Sequence, residues 1–180
     1  ASLALDTAHE QAIAALVRTL PVEFQGERVL LSGVNVSEAI RTEEAGMNAS
    51  KVSVLPLVRQ ALVDLQLSFR RLPGLVADGR DMGTVIFPDA ALKVFLTASA
   101  EKRAERRFKQ LISKGISTTI EVLRADLTAR DARDTQRSVA PLKPAQDALP
   151  LDNSSLSIDS SVTQVMHWWQ NTQVFGPGHA

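Results

Sequence analysis

Short apolar runs alternate along this chain with longer stretches in which apolar residues recur every third or fourth position, and that change of period restricts the fold more than any other feature. Residues 75–77 (Leu-Val-Ala) and 92–96, the latter with Val94 and Phe95, read as buried strands that end in polar loops. Residues 148–151 give a third short strand. From about residue 43 to 70, Val52, Leu55, Val58, Leu62, Leu65 and Phe69 repeat at helical spacing, and Pro56 divides that stretch into two helices. A helix from about 101 to 114 is stopped by Gly115. Another runs from 120 to about 137 with Val122, Leu123 and Leu127 on its apolar side. The closing helix starts near Ser157 or Asp159, each a good N-cap, and carries Val162, Val165, Met166 and Trp169 on one face. Residues 22–36 alternate about Gly26 and Gly33 and predict two short strands joined by turns. Strands alternating with helices imply an α/β domain, with a mostly parallel sheet and helices on both sides. In such sheets ligands collect at the carboxyl ends of the strands.

Composition narrows the function. At 180 residues and 44% hydrophobic, the chain can bury one sizeable core. Twenty basic residues balance twenty acidic ones, so no overall field draws it to nucleic acid or anionic lipid, and any anion site must be local. Cysteine is absent, and His9, His167 and His179 are too scattered for a metal-ligand cluster. No run approaches the ~20 residues of a membrane span. These features read as a cytoplasmic protein, with residues 175–180 as a frayed end.

Two constellations could carry chemistry. The loop Asp78-Gly79-Arg80-Asp81-Met82-Gly83-Thr84 places two carboxylates flanking a guanidinium, with two glycines, at the end of a strand. Arginine offers a planar fork suited to phosphate, and aspartate accepts from the amino group of a base. A tight turn held by its own Asp–Arg pair accounts for the same residues. The second is Arg130, Arg133, Asp134 and Arg137, at offsets of three and four on one helix face, with a surplus of positive charge. It reads as an anion site or as a solvated face laced by weak pairs. Arg103, Arg106 and Arg107 repeat the pattern on the preceding helix, with Glu101 and Glu105 as internal partners. Two arginine-rich faces on successive helices favour polyphosphate. His167 beside Trp168 and Trp169 reads as a packed amphipathic helix.

The stretch Gly74-Leu-Val-Ala-Asp-Gly-Arg-Asp-Met-Gly-Thr-Val-Ile-Phe-Pro-Asp-Ala90 resembles the central signature of bacterial-type cytidylate kinases. The likeness continues through residues 103–107, through Ala129-Arg-Asp-Ala-Arg-Asp-Thr-Gln-Arg-Ser-Val-Ala-Pro-Leu142 and through Asp147-Ala-Leu-Pro-Leu-Asp152. Upstream, Ile40-Arg-Thr-Glu-Glu, Asn48-Ala-Ser-Lys-Val, Pro56 and Arg59 match as well, for coverage of about 10–170. The resemblance implies a P-loop kinase-like parallel sheet flanked by helices, with a small antiparallel insert that binds the nucleoside monophosphate. It divides the chain into the insert and connecting helices at 1–70, an α/β core at 71–170 with a lid at about 103–137, and a tail at 171–180. It implies transfer of the terminal phosphoryl of ATP, with Mg²⁺, to CMP or dCMP. Ser50, Arg59, Asp81 and Arg137 would surround the cytosine, Arg80 and Arg130 would hold the CMP phosphate, and Asp134 would contact the sugar. Arg103 and Arg107 correspond to the lid over the ATP phosphates, and with Arg130 they form the expected catalytic set.

One departure is plain. The family's opening strand and its G-x-x-x-x-G-K-[ST] loop have no counterpart, because no Gly-Lys dipeptide occurs in the chain, and tyrosine is absent too. The expectation is therefore a fold lacking its first strand and P-loop, in a sequence that is a portion of a longer polypeptide. A monomer is expected, acting on CMP or dCMP and ATP and on neither nucleic acid nor membrane. The second reading is an inactive nucleotide-binding protein that retains the CMP pocket. A nucleic-acid module draws only on the arginine clusters, and zero net charge with 4% aromatics opposes it.

Overall fold

The computed structural model describes residues 10–174, which divide into two compact units with the boundary between Ala77 and Asp78. His9, His179 and the tail expected at 175–180 lie outside the described residues.

The first unit is built on a pair of helices and a small sheet. Helix α1 (Glu10–Arg18) presents Ala14 and Val17 to Val58 and Ala61 of α3 (Pro56–Ser68), with Ile13, Leu20, Leu55 and Leu62 packed around them. Pro56 stands at the first turn of α3, where its missing N–H costs nothing. Glu10 accepts the next free backbone N–H, that of Leu57, at 2.6 Å, so each helix end helps fix the other. Helix α2 (Glu43–Val52) is capped by Thr42, whose hydroxyl accepts the Ala45 N–H at 3.1 Å.

Residues 22–36 form three antiparallel strands where two were expected: β1 (Val22–Gln25), β2 (Arg28–Leu31) and β3 (Val34–Asn35). Ser32 and Gly33 both take positive φ, 51° and 76°, the pattern of a two-residue turn that matches strand twist. The second turn therefore returns the chain to the sheet.

The second unit holds a parallel pair, β4 (Val94–Thr97) with β5 (Leu149–Asp152), in the register Val94↔Leu149, Phe95↔Pro150, Leu96↔Leu151 and Thr97↔Asp152. The crossover between them contains two helices, α4 (Ala100–Ser113) and α5 (Ile120–Gln136). They bury Ala104, Leu111 and Leu123 between them, with Phe108, Ile120 and Leu127 alongside. Gly115 at φ 74° ends α4 as expected. Val122, expected on the apolar side of α5, is exposed. Helix α6 (Ile158–Val174) begins at Ser157, whose hydroxyl accepts the Ser160 N–H at 3.0 Å. Its Val162, Met166 and Trp169 face solvent.

The α/β class holds, with one correction. Residues 75–77 are not a buried strand: Val76 is 99% exposed and the segment joins no ladder among the described residues. A strand exists only with a hydrogen-bonded neighbour, which an apolar run does not itself specify. Strand β4 is likewise half-covered rather than buried, with Leu96 open to solvent.

The start of the parallel pair is pinned by charge. Lys93 Nζ donates to both Asp147 oxygens, at 3.0 and 2.7 Å, while its carbonyl accepts the Leu149 N–H at 2.9 Å. The Lys93 ammonium, aided by a backbone N–H, holds the Asp147 carboxyl below the ordinary value of 3.8. A depressed carboxylate pKa contributes stability above the unfolded value, and that contribution disappears as pH falls through the folded value. Asp147→Asn is accordingly expected to lower the urea midpoint at pH 7, with the gap from wild type closing as the medium is taken below pH ~3.8. A gap that persists unchanged in acid would contradict this assignment.

Candidate functional site

Asp134 organises the polar cluster of the second unit. It lies on the last turns of α5 with a side chain only 5% exposed. Arg80 Nε donates to its Oδ2 at 3.0 Å, and Arg130 Nε, one helical turn back on α5, stands 3.9 Å from the same oxygen. The alternative of a loop held by its own Asp–Arg pair does not describe Arg80, which reaches 54 positions along the chain to α5. Two guanidiniums about one carboxylate leave a local excess of one positive charge. Arg130 Nε is buried without a hydrogen-bond partner, a costly state for a charged donor and one that an anion would relieve.

The backbone around this cluster is held from both sides. The Asp81 carbonyl accepts the N–H groups of Thr84, Val85 and Ile86 at 3.3, 2.9 and 3.3 Å, so a wide turn over residues 82–86 hangs from one oxygen. Asp81 itself is buried. After α5, Leu142 N–H returns to the Asp134 carbonyl at 2.8 Å, and Arg137 Nε donates to the Ala140 carbonyl at 2.6 Å. Ala140 takes φ 46°, which lets the chain turn back on the helix end.

Arg103 and Arg107 sit on α4. Arg103 donates from Nε to the Ala98 carbonyl at 3.0 Å, from Nη1 to Asp131 Oδ1 at 2.9 Å and from Nη2 to Asp131 Oδ2. Hydrogen bonding to Asp131 raises the Arg103 pKa further above its already high value, so this group stays charged at any working pH. Arg107 Nη1 donates to Gln110 Oε1 at 2.7 Å. Arg106 donates to the side-chain and backbone oxygens of Asn153, at 3.0 and 2.5 Å. The partners expected from spacing, Glu101 and Glu105, are not those of the α4 arginines in these contacts, and Glu105 instead takes Lys102 at 2.9 Å. Asp131 and Asn153 were missed. The repeated Arg-Asp of Arg130-Asp131 and Arg133-Asp134 offered a signal for the first, and nothing in the sequence pointed to the second.

The structure thus gathers Arg80, Arg130 and Asp134 around one oxygen, with Arg137 at the end of the same helix. Ser50 and Arg59 belong to the first unit. There the Ser50 carbonyl accepts the Ser53 hydroxyl at 2.8 Å, and Arg59 Nη1 donates to the Ser53 carbonyl at 3.1 Å, which places both at the corner between α2 and α3. Among the described residues no group of three histidines or carboxylates stands where it could hold a metal ion. These residues do not by themselves make a Mg²⁺ site.

The family model for cytidylate kinase matches residues 2–171. A cytidylate kinase of Cupriavidus necator is 58% identical over 165 residues, which cover 92% of this chain and 74% of that protein. Those of Ralstonia pickettii and Bordetella bronchiseptica are 53% and 54% identical, covering 94% and 92% of this chain and 73% and 74% of theirs. Likeness of this breadth sets the chain among the nucleoside monophosphate kinases, enzymes that transfer phosphoryl groups. The chain belongs to the cytidylate kinase family.

Removing the carboxylate should expose the tension it relieves. Asp134→Asn leaves two guanidiniums facing each other without their counter-ion, an expected loss of about 3 kcal/mol in the stability of the second unit. Urea unfolding followed by far-ultraviolet circular dichroism measures it, and a loss under ~0.5 kcal/mol would show that the pair carries no such strain.

Proposed function

We propose that the chain serves a kinase that moves the terminal phosphoryl group of ATP onto the phosphate of CMP or dCMP, giving CDP or dCDP and ADP. The observation that carries this reading is the buried, unpartnered Arg130 Nε beside an Asp134 already shared with Arg80. A phosphate monoester arriving there meets two cations that one carboxylate only half neutralises. Arg80 and Arg130 hold the acceptor phosphate, and Asp134 keeps both forks turned toward it while contacting the sugar. Asp81, buried at the neighbouring loop, accepts from the exocyclic amino group of cytosine, with Arg137 on the same base. The roles of Ser50 and Arg59 toward that base rest on the resemblance of their own segment.

ATP enters this reading as co-substrate. Arg103 and Arg107 on α4 supply charge to the phosphate chain, where cations stabilise negative charge spread over the transferred group. One acceptor-phosphate oxygen forms the new bond to phosphorus as the bond to the ADP oxygen breaks, so neither a covalent enzyme intermediate nor a redox partner is required. Fixing the acceptor oxygen against the phosphorus contributes most of the acceleration. ATP-dependent transfer is what kinship to cytidylate kinases implies, and the names of those relatives favour CMP as acceptor. A protein that binds nucleotide without turnover gains no support from any contact described above.

Calorimetric titration with CMP and UMP tests the pocket. Arg130→Ala should weaken both nucleotides by about 10- to 100-fold, the worth of one charge-assisted contact. Asp81→Ala should weaken CMP by ~1–3 kcal/mol and leave UMP nearly unchanged. Equal losses for the two bases with Asp81→Ala would remove Asp81 from base recognition.

A further inference from the structure

Arg103 on α4 is bound by a carboxylate from another helix. Its Nε is fixed to the Ala98 carbonyl where β4 ends, and its two terminal nitrogens grip both oxygens of Asp131 on α5. Three of the five N–H donors of the guanidinium are thereby committed, and its charge is cancelled one for one. Arg106, three positions on, meets only the neutral oxygens of Asn153 and keeps its charge. The Arg103–Asp131 pair is also open: the side chains are 31% and 35% exposed. Two-pronged geometry holds the pair together, yet with this access to water the carboxylate can be rehydrated without a large penalty once released. An anion of several charges therefore competes effectively for Arg103, whereas water alone does not displace Asp131.

We propose that Asp131 is a built-in competitor for Arg103, holding its guanidinium neutralised against α5 until a phosphate chain displaces the carboxylate, so that opening this pair sets part of the affinity for polyphosphate. This rests on the reading of Arg103 as a phosphate ligand. The device has two consequences. Arg103 is kept ordered, with its charge balanced by Asp131, while no polyphosphate is present. The departure of Asp131 also frees the contact that ties α4 to α5 at this level, so phosphate binding and the spacing of the two helices become linked.

The test is calorimetric titration of inorganic triphosphate into the chain at fixed ionic strength, for wild type, Asp131→Asn, Arg103→Ala and the double variant. Asparagine keeps the shape of the side chain and removes its charge. Asp131→Asn should bind triphosphate about three- to tenfold more tightly than wild type, and the gain should vanish in the Arg103→Ala background. Affinity equal to or below wild type in Asp131→Asn overturns the competition, and so does a gain that survives without Arg103. No detectable heat for both wild type and Asp131→Asn overturns it as well. If Asp131→Asn does not melt cooperatively, Asp131→Ser carries the same expectation. Arg103→Ala tests the underlying reading separately: unchanged binding there removes Arg103 from the phosphates, whereas a loss there with no gain in Asp131→Asn removes only the competition.

Discussion

A carboxylate almost wholly withdrawn from water, flanked by two guanidiniums, is the interaction on which the second unit turns. Arg80 and Arg130 supply the positive charge that faces this buried carboxylate, Arg80 at 3.0 Å and Arg130 at 3.9 Å from the same oxygen. Because Arg80 comes from the loop that opens the unit and Arg130 from the crossover helix, the one carboxylate joins segments 54 positions apart. The same oxygen that stabilises the fold leaves a positive surplus unspent. Structural cohesion and the local excess of positive charge thus have one source.

The crossover that carries these arginines is equally economical in its packing. Ala104, Leu111 and Leu123 seal α4 against α5, and the polar faces beside that seam hold Arg103 to Asp131 and Arg106 to Asn153. Apolar contacts fix the distance between the two helices, while the ion pair and the arginine–asparagine contact fix how α4 is turned and tie it to the end of β5. A helix pair of this kind presents its cations in a defined order from a small core.

Much of this was legible in the sequence where the cause is local. Pro56 divides α2 from α3, Gly115 ends α4, and Ser157 caps α6, because each acts through its own backbone or its nearest amides. What was not legible depends on partners far along the chain. The run at 75–77 has strand composition but pairs with no neighbour among the described residues, and Gly33, read as punctuation, is the turn that adds a third strand. Among the site residues, helical spacing offered Glu101 and Glu105 as possible partners for the arginines of α4, whereas Arg103 reaches Asp131 and Arg106 reaches Asn153, because a long side chain on a packed helix reaches the neighbouring element as readily as its own next turn. The same limit hid Asp131, while the charged face containing Arg130, Asp134 and Arg137 could be drawn from offsets of three and four alone.

The register of β4 and β5 has one more consequence. Leu149 and Asn153 direct their N–H groups to the carbonyls of Lys93 and Thr97, so by alternation the intervening Pro150 stands where the backbone would otherwise offer a donor on the side away from β4. An extended segment from another molecule that tried to lengthen the sheet along that border would find a missing hydrogen bond at its centre. Proline thus lets β5 take part in its own ladder while discouraging strand-to-strand aggregation on its outer side.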